Sequence, residues 1–126
     1  MDFDNCACSG KSLARLLQPA LMSVLAGEPL HGYLIAQRLR KLSLFKDSPP
    51  DYAGIYRFLN SMEEQGLVKS EWDTADAGPA KRRYGLTRKG RSCMARWLAT
   101  LTDYRQAIDD LVGQLGRQLA KKRPSR

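Results

Sequence analysis

Residues 49–66, PPDYAGIYRFLNSMEEQG, constrain the fold more tightly than any other stretch of the chain. Pro49 and Pro50 cannot continue a helix from upstream, Asp51 can accept backbone hydrogen bonds as an N-cap, and Gly66 stands where a left-handed residue ends a helix. Between these stops Ile55, Phe58, Leu59 and Met62 recur at i, i+3, i+4 and i+7, so they form one apolar face turned to a core. The spacing predicts a short helix that carries Tyr52, Tyr56, Arg57, Asn60 and Glu63 on its opposite face.

Two helices are expected before it. In SLARLLQPALMSVLAG, leucines recur at helical spacing, and Pro19 predicts a short helix, a break or kink, and a second helix that ends at Gly27. GEPLHGYLIAQRLRKL restarts after Pro29, with Leu34, Ile35 and Leu39 inward and Gln37, Arg38, Arg40 and Lys41 outward. After Gly66 the pattern changes to strand, long turn-rich tip and strand, over Leu67 to Trp72 and Arg82 to Leu86.

Thr87 then caps a last helix of different character. Met94, Leu101, Ile108 and Leu115 lie seven apart, and Trp97, Tyr104 and Leu111 form a second row three residues on. Such a stripe is a helix-pairing seam that one small domain has little core left to cover, and its natural partner is another copy of the chain. Leu13, Leu16 and Leu17 of the first helix are expected to join this dimer seam. Gly113 and Gly116 predict fraying of the final turns.

Charge separates the functional classes. Of 21 lysines and arginines, seven fall within residues 81–96 and five within 117–126, while the rest of the chain holds all 13 acids and is acidic. Positive charge gathered on one internal segment and one tail is the footprint of a polyanion-binding surface rather than of general solubility. The chain has one histidine, no C-x-x-C, no phosphate-binding glycine loop and no paired acids beside a nucleophile, so an enzyme finds no support. No apolar run is long enough to span a bilayer and MDFDNCACSGKSL is not a secretory leader, so a cytoplasmic protein is expected.

The order helix, helix, helix, wing, long helix is a mainly α winged helix-turn-helix with a two-stranded β wing and a C-terminal dimerisation helix. The expected divisions are a flexible terminus at 1–12, a DNA-binding domain at 13–91, a dimerisation helix at 87–119 and a basic disordered tail at 120–126. Small residues beside Tyr52, namely Ala53 and Gly54, let the third helix approach DNA closely, and the helix N-terminus attracts phosphate. Arg57 and Asn60 carry the donors that read guanine and adenine edges. Lys81, Arg82 and Arg83 return beside this helix to hold flanking phosphates or the minor groove, although strand alternation lets at most two of the three face one groove. Glu63 and Glu64 should lie outside the footprint.

Three segments, LMSVLAGEPLHGYLIAQRL, IYRFLNSMEEQGLVKSEW and GPAKRRYGLTRKG, resemble the PadR family of transcriptional regulators. The likeness spans about residues 20 to 91, with four motifs in order. It implies a dimeric winged-helix repressor on an inverted-repeat operator in double-stranded DNA, with Tyr56 and the wing cations near the DNA. A single C-terminal helix resembles the compact members, which often bind a planar effector between protomers; Trp97 and Tyr104 are the aromatic candidates. The chain departs from its relatives at Gly54, where they often carry a hydroxyl residue.

Other features have plainer readings. His31 is expected to be structural, because a lone imidazole makes neither a metal site nor a catalytic base. Cys6 and Cys8 read as part of a flexible terminus, with metal binding or oxidation sensing as the alternatives. No cofactor is expected. The rival to DNA binding is a winged-helix module that docks an acidic protein partner.

Overall fold

The computed structural model describes residues 16–74 and 78–121. Cys6, Cys8 and Leu13, the terminus expected at 1–12, and residues 122–126 of the tail expected at 120–126 lie outside them. The elements in order are α1 (Leu17–Leu25), β1 (Leu30–His31), α2 (Gly32–Arg40), a single 3₁₀ turn (Ser43–Phe45), α3 (Tyr52–Glu64), β2 (Val68–Asp73), β3 (Lys81–Leu86) and α4 (Arg88–Ala120). Two compact units divide within α4, between Met94 and Ala95.

The first unit is built around three helices and a hairpin. Leu21 and Met22 of α1, Ile35 and Leu39 of α2, and Ile55, Leu59 and Met62 of α3 have no exposed surface. Each such side chain contributes about 1.5–3 kcal/mol by leaving water. The expected apolar face of α3 is therefore its core face, with Phe58 at the margin, half-buried.

The ends of α3 follow from local chemistry. Asp51 accepts a hydrogen bond from the Gly54 backbone N–H at 2.7 Å, which satisfies a first-turn donor. At the other end Gly66 adopts φ 78°, the left-handed conformation that glycine accepts without a Cβ clash. There the Leu67 N–H reaches the Met62 carbonyl at 2.9 Å and the Gly66 N–H the Glu63 carbonyl at 3.0 Å, a Schellman stop.

Two sequence expectations need correction, and the two-stranded wing gains a third, short strand. Pro19 does not break a helix: α1 starts at Leu17 and runs through it. The first-turn N–H groups have no acceptor within the helix, so a proline there removes nothing. The sheet has three strands, in the order β1-β3-β2, because Leu30 and His31 pair antiparallel with Tyr84 and Arg83. A two-residue strand is too short to announce itself by alternation. Finally, α4 does not fray at Gly113 and Gly116 but continues to Ala120.

The start of α4 is fastened to the hairpin. Thr87 accepts the Gly90 N–H at 2.9 Å as a cap, and its hydroxyl donates to the Gly66 carbonyl at 2.6 Å. Lys89 Nζ donates to the Gln65 carbonyl at 2.9 Å, and Arg91 to the Ala26 carbonyl at 3.1 Å. Gly90 is buried against this junction, where a Cβ would strike the Leu67 carbonyl and lie 2.7 Å from a Leu86 methyl. From Ala95 onward α4 exposes Leu98, Tyr104, Ile108, Leu111, Val112, Leu115 and Leu119, each by more than half. No helix among the described residues is long and apolar enough to cross a membrane.

Candidate nucleic-acid interface

The exposed side of α3 is a row, Ala53, Arg57, Asn60 and Glu64, spaced four, three and four residues apart. Arg57 and Asn60 thus share one face and point their donors outward, with the small Ala53 a turn toward the N-terminus. Gly54 is half-buried and its N–H is engaged by Asp51. Tyr52, 43% exposed, flanks the row beneath the Arg40 guanidinium, 5.3 Å from its ring centre. That stacking steadies the first turn of α3 against the last turn of α2.

Tyr56 stands on the neighbouring row with Asn60 and Glu63, and its ring packs on α2. A Cβ at Gly32 would collide with the Tyr56 ring and lie 2.6 Å from its hydroxyl, so glycine at that position is what lets the ring close on α2. Tyr56 keeps 37% of its surface exposed. It joins a packing role to an outward edge, between the two roles that its sequence position allows.

The wing returns three adjacent cations with three different environments. Arg82 turns toward α3: its Nη2 lies 2.7 Å from Glu63 Oε1 and its Nε 2.9 Å from Ser70 Oγ, while Ser70 Oγ donates to Glu63 at 2.5 Å. The guanidinium also covers the Tyr84 ring at 5.4 Å. Burial pushes the Tyr84 phenol above its ordinary value, Arg82 opposes that shift, and the nearby Glu63 and Tyr56 add to it. Arg82 is therefore held within the protein as a clamp between α3 and the wing, which departs from its expected place on a phosphate.

Arg83 leans the other way, with its Nη2 2.6 Å from Asp73 Oδ2. The same carboxylate oxygen lies 3.1 Å from His31 Nε2. Cross-strand registry produces this triad, since His31 and Arg83 are paired on β1 and β3 and Asp73 closes the outer strand. The Arg83 side chain nevertheless keeps 48% of its surface exposed. Lys81 is exposed and makes no ion pair among the described residues.

Sequence reasoning missed both acids. Glu63 was expected merely to stay outside the footprint, yet it fixes the wing to α3. Its signal was present: Tyr56, Asn60 and Glu63 are a single helical row, and an acid-free run of cations needs counter-charges from elsewhere. Asp73 gives His31 a structural partner that lies 42 residues away in sequence.

The residues expected at a dimer seam fall into three environments. Leu17 is 7% exposed, so its burial is already supplied by its own protomer, and Leu16 is half-buried. Met94, Trp97 and Leu101 are half-buried, whereas Tyr104, Ile108 and Leu111 expose 55–57% of their surface. Among the described residues no group of histidine, cysteine and acid side chains could hold a metal ion.

Comparisons with known proteins place this geometry. No curated protein sequence matches the chain. Among solved structures, a PadR family transcription regulator from Clostridium difficile is 20% identical, with TM-score 0.69 over 77% of this chain and 98% of the other. A putative transcriptional regulator from Thermoplasma acidophilum is 27% identical, with TM-score 0.65 over 82% of this chain and 96% of the other. Bacillus subtilis PadR, solved in complex with operator DNA, is 19% identical, with TM-score 0.59 over 89% of this chain and 81% of the other. Residues 21–96, from the core of α1 into α4, match the transcriptional regulator PadR-like family, and the chain belongs to that family of winged-helix DNA-binding regulators.

Proposed function

We propose that the protein is a homodimeric, sequence-specific repressor that binds an inverted-repeat operator through α3 and the wing and is released by a small effector. The observation that carries this reading is the outward row Ala53, Arg57 and Asn60, with a cationic wing clamped beside it. Arg57 and Asn60 read base edges, Lys81 and Arg83 hold phosphates, and Tyr52 and Tyr56 border the contact. The operator-bound relative from Bacillus subtilis supports double-stranded DNA as the ligand.

Dimerisation is supported by the apolar stripe of α4. Tyr104, Ile108, Leu111 and Leu115 repeat at heptad-like spacing and are all more than half exposed, a surface that a second copy would bury. Two copies about an axis would set their α3 helices in successive major grooves about 34 Å apart. Trp97 and Tyr104 would face a flat effector at that seam, and its binding would change the spacing of the two DNA-reading units. Repression follows where the operator overlaps a promoter.

Sedimentation of the free protein and footprinting on DNA upstream of its own gene test the proposal together. The expected result is a dimer at micromolar concentration that protects two half-sites one helical turn apart. A monomer, or protection of a single half-site, would overturn it.

A further inference from the structure

Trp72 lies on β2, an edge strand of the sheet, and is 66% exposed. Its partner across the hairpin is Arg82, and Ser70 precedes it by two residues, so all three share one face of the wing. Arg82 and Ser70 both reach Glu63, which identifies this face as the one turned toward α3. Farther from the tip the same face is core: Val68 and Tyr84 are each 2% exposed. Trp72 therefore stands just past the end of the core, on the α3 side, where the described residues leave most of its surface open.

The acids of β2 are on the opposite face. Glu71 and Asp73 pair in register with Arg83 and Lys81, whereas the face that carries Trp72 has no acid of its own strand. Glu63 approaches from α3 but is neutralised by Arg82 at 2.7 Å. A flat apolar ring with one N–H donor, beside the Arg82 guanidinium and, among the described residues of β2 and β3, sharing its face with no acid, suits the sugar-phosphate backbone, which offers apolar deoxyribose faces and anionic acceptors side by side.

We propose that Trp72 is a DNA-contacting residue of the wing, its ring packed on a deoxyribose at the groove edge and its indole N–H donated to a phosphate oxygen. The inference rests on the DNA-binding reading above and adds a residue to that site. A lone exposed aromatic is ordinary on protein surfaces, so the test must detect contact and not exposure alone.

The chain contains two tryptophans, Trp72 and Trp97. Full-length protein grown with 5-fluorotryptophan gives two fluorine resonances, which Trp72→Phe assigns, while anisotropy of a labelled duplex from the gene's upstream region reports binding separately. On saturation with that duplex the Trp72 resonance should shift and broaden. Trp72→Ala should weaken binding roughly five- to tenfold with an unchanged melting temperature, and Trp72→Phe should retain most of the affinity. An anisotropy signal for binding with a stationary Trp72 resonance and wild-type affinity in Trp72→Ala would overturn the inference and leave the DNA-binding reading intact. A Trp72 resonance that moves with protein concentration before any DNA is added would assign the ring to contact between copies, and would equally overturn it. Absence of any duplex binding by anisotropy would remove the reading and the inference together.

Discussion

The third helix and the wing, the two elements proposed to meet DNA, are held in opposite ways. Along α3 the donors of Arg57 and Asn60 are exposed on a rigid row, held from beneath by Ile55, Leu59 and Met62. On the wing two of three neighbouring cations are already bound, Arg82 to Glu63 and Arg83 to Asp73. A helix holds its outward side chains by burying the opposite face, whereas a hairpin is core only near its base, at Val68 and Tyr84, and nearer its tip is held by ion pairs. The density of positive charge in a sequence thus overstates what a partner can meet, because part of that charge supports the structure.

The largest effect should come from the helix row. Arg57→Ala or Asn60→Ala should lose about 1–3 kcal/mol of discrimination between operator and random duplex, measured as the ratio of the two dissociation constants. Equal losses on both DNAs would show that the row does not read bases. Glu63→Gln comes next: it leaves the Arg82 guanidinium without its counter-charge, so thermal stability should fall by about 1 kcal/mol and operator affinity several-fold. Lys81→Ala should weaken operator and random DNA alike and reduce the slope of log affinity against log salt by about two for the dimer, one per protomer. Asp73→Asn should have the smallest effect and the opposite sign, a gain of about twofold as Arg83 is released toward phosphate. A loss there would mean that Asp73 positions Arg83 and does not restrain it.

How much of this was legible in the sequence depended on how far apart the deciding residues are. The two ends of α3 are set by Asp51 and Gly66 within a few residues of the bonds they make, and its core face by a repeat that any reader can count. The family likeness and the long α4 were equally open. By contrast, Arg82 finds Glu63 across 19 residues and His31 finds Asp73 across 42, and no local pattern reports pairings of that kind. The need for glycine at position 32 is of the same kind, since only the fold brings the Tyr56 ring against it. Pro19 misled because its effect depends on where the helix starts, which the leucine spacing alone does not locate.

The clamp between Glu63 and Arg82 also changes what dissolved ions can do to this regulator. If Lys81 holds a phosphate as proposed, added electrolyte would screen that contact, and it would also loosen the partly exposed pair that keeps the hairpin aligned with α3. Ionic strength therefore enters at two levels, the grip on the polymer and the shape of the hand. Attachment should fade more steeply in brine than a tally of neutralised phosphates would allow.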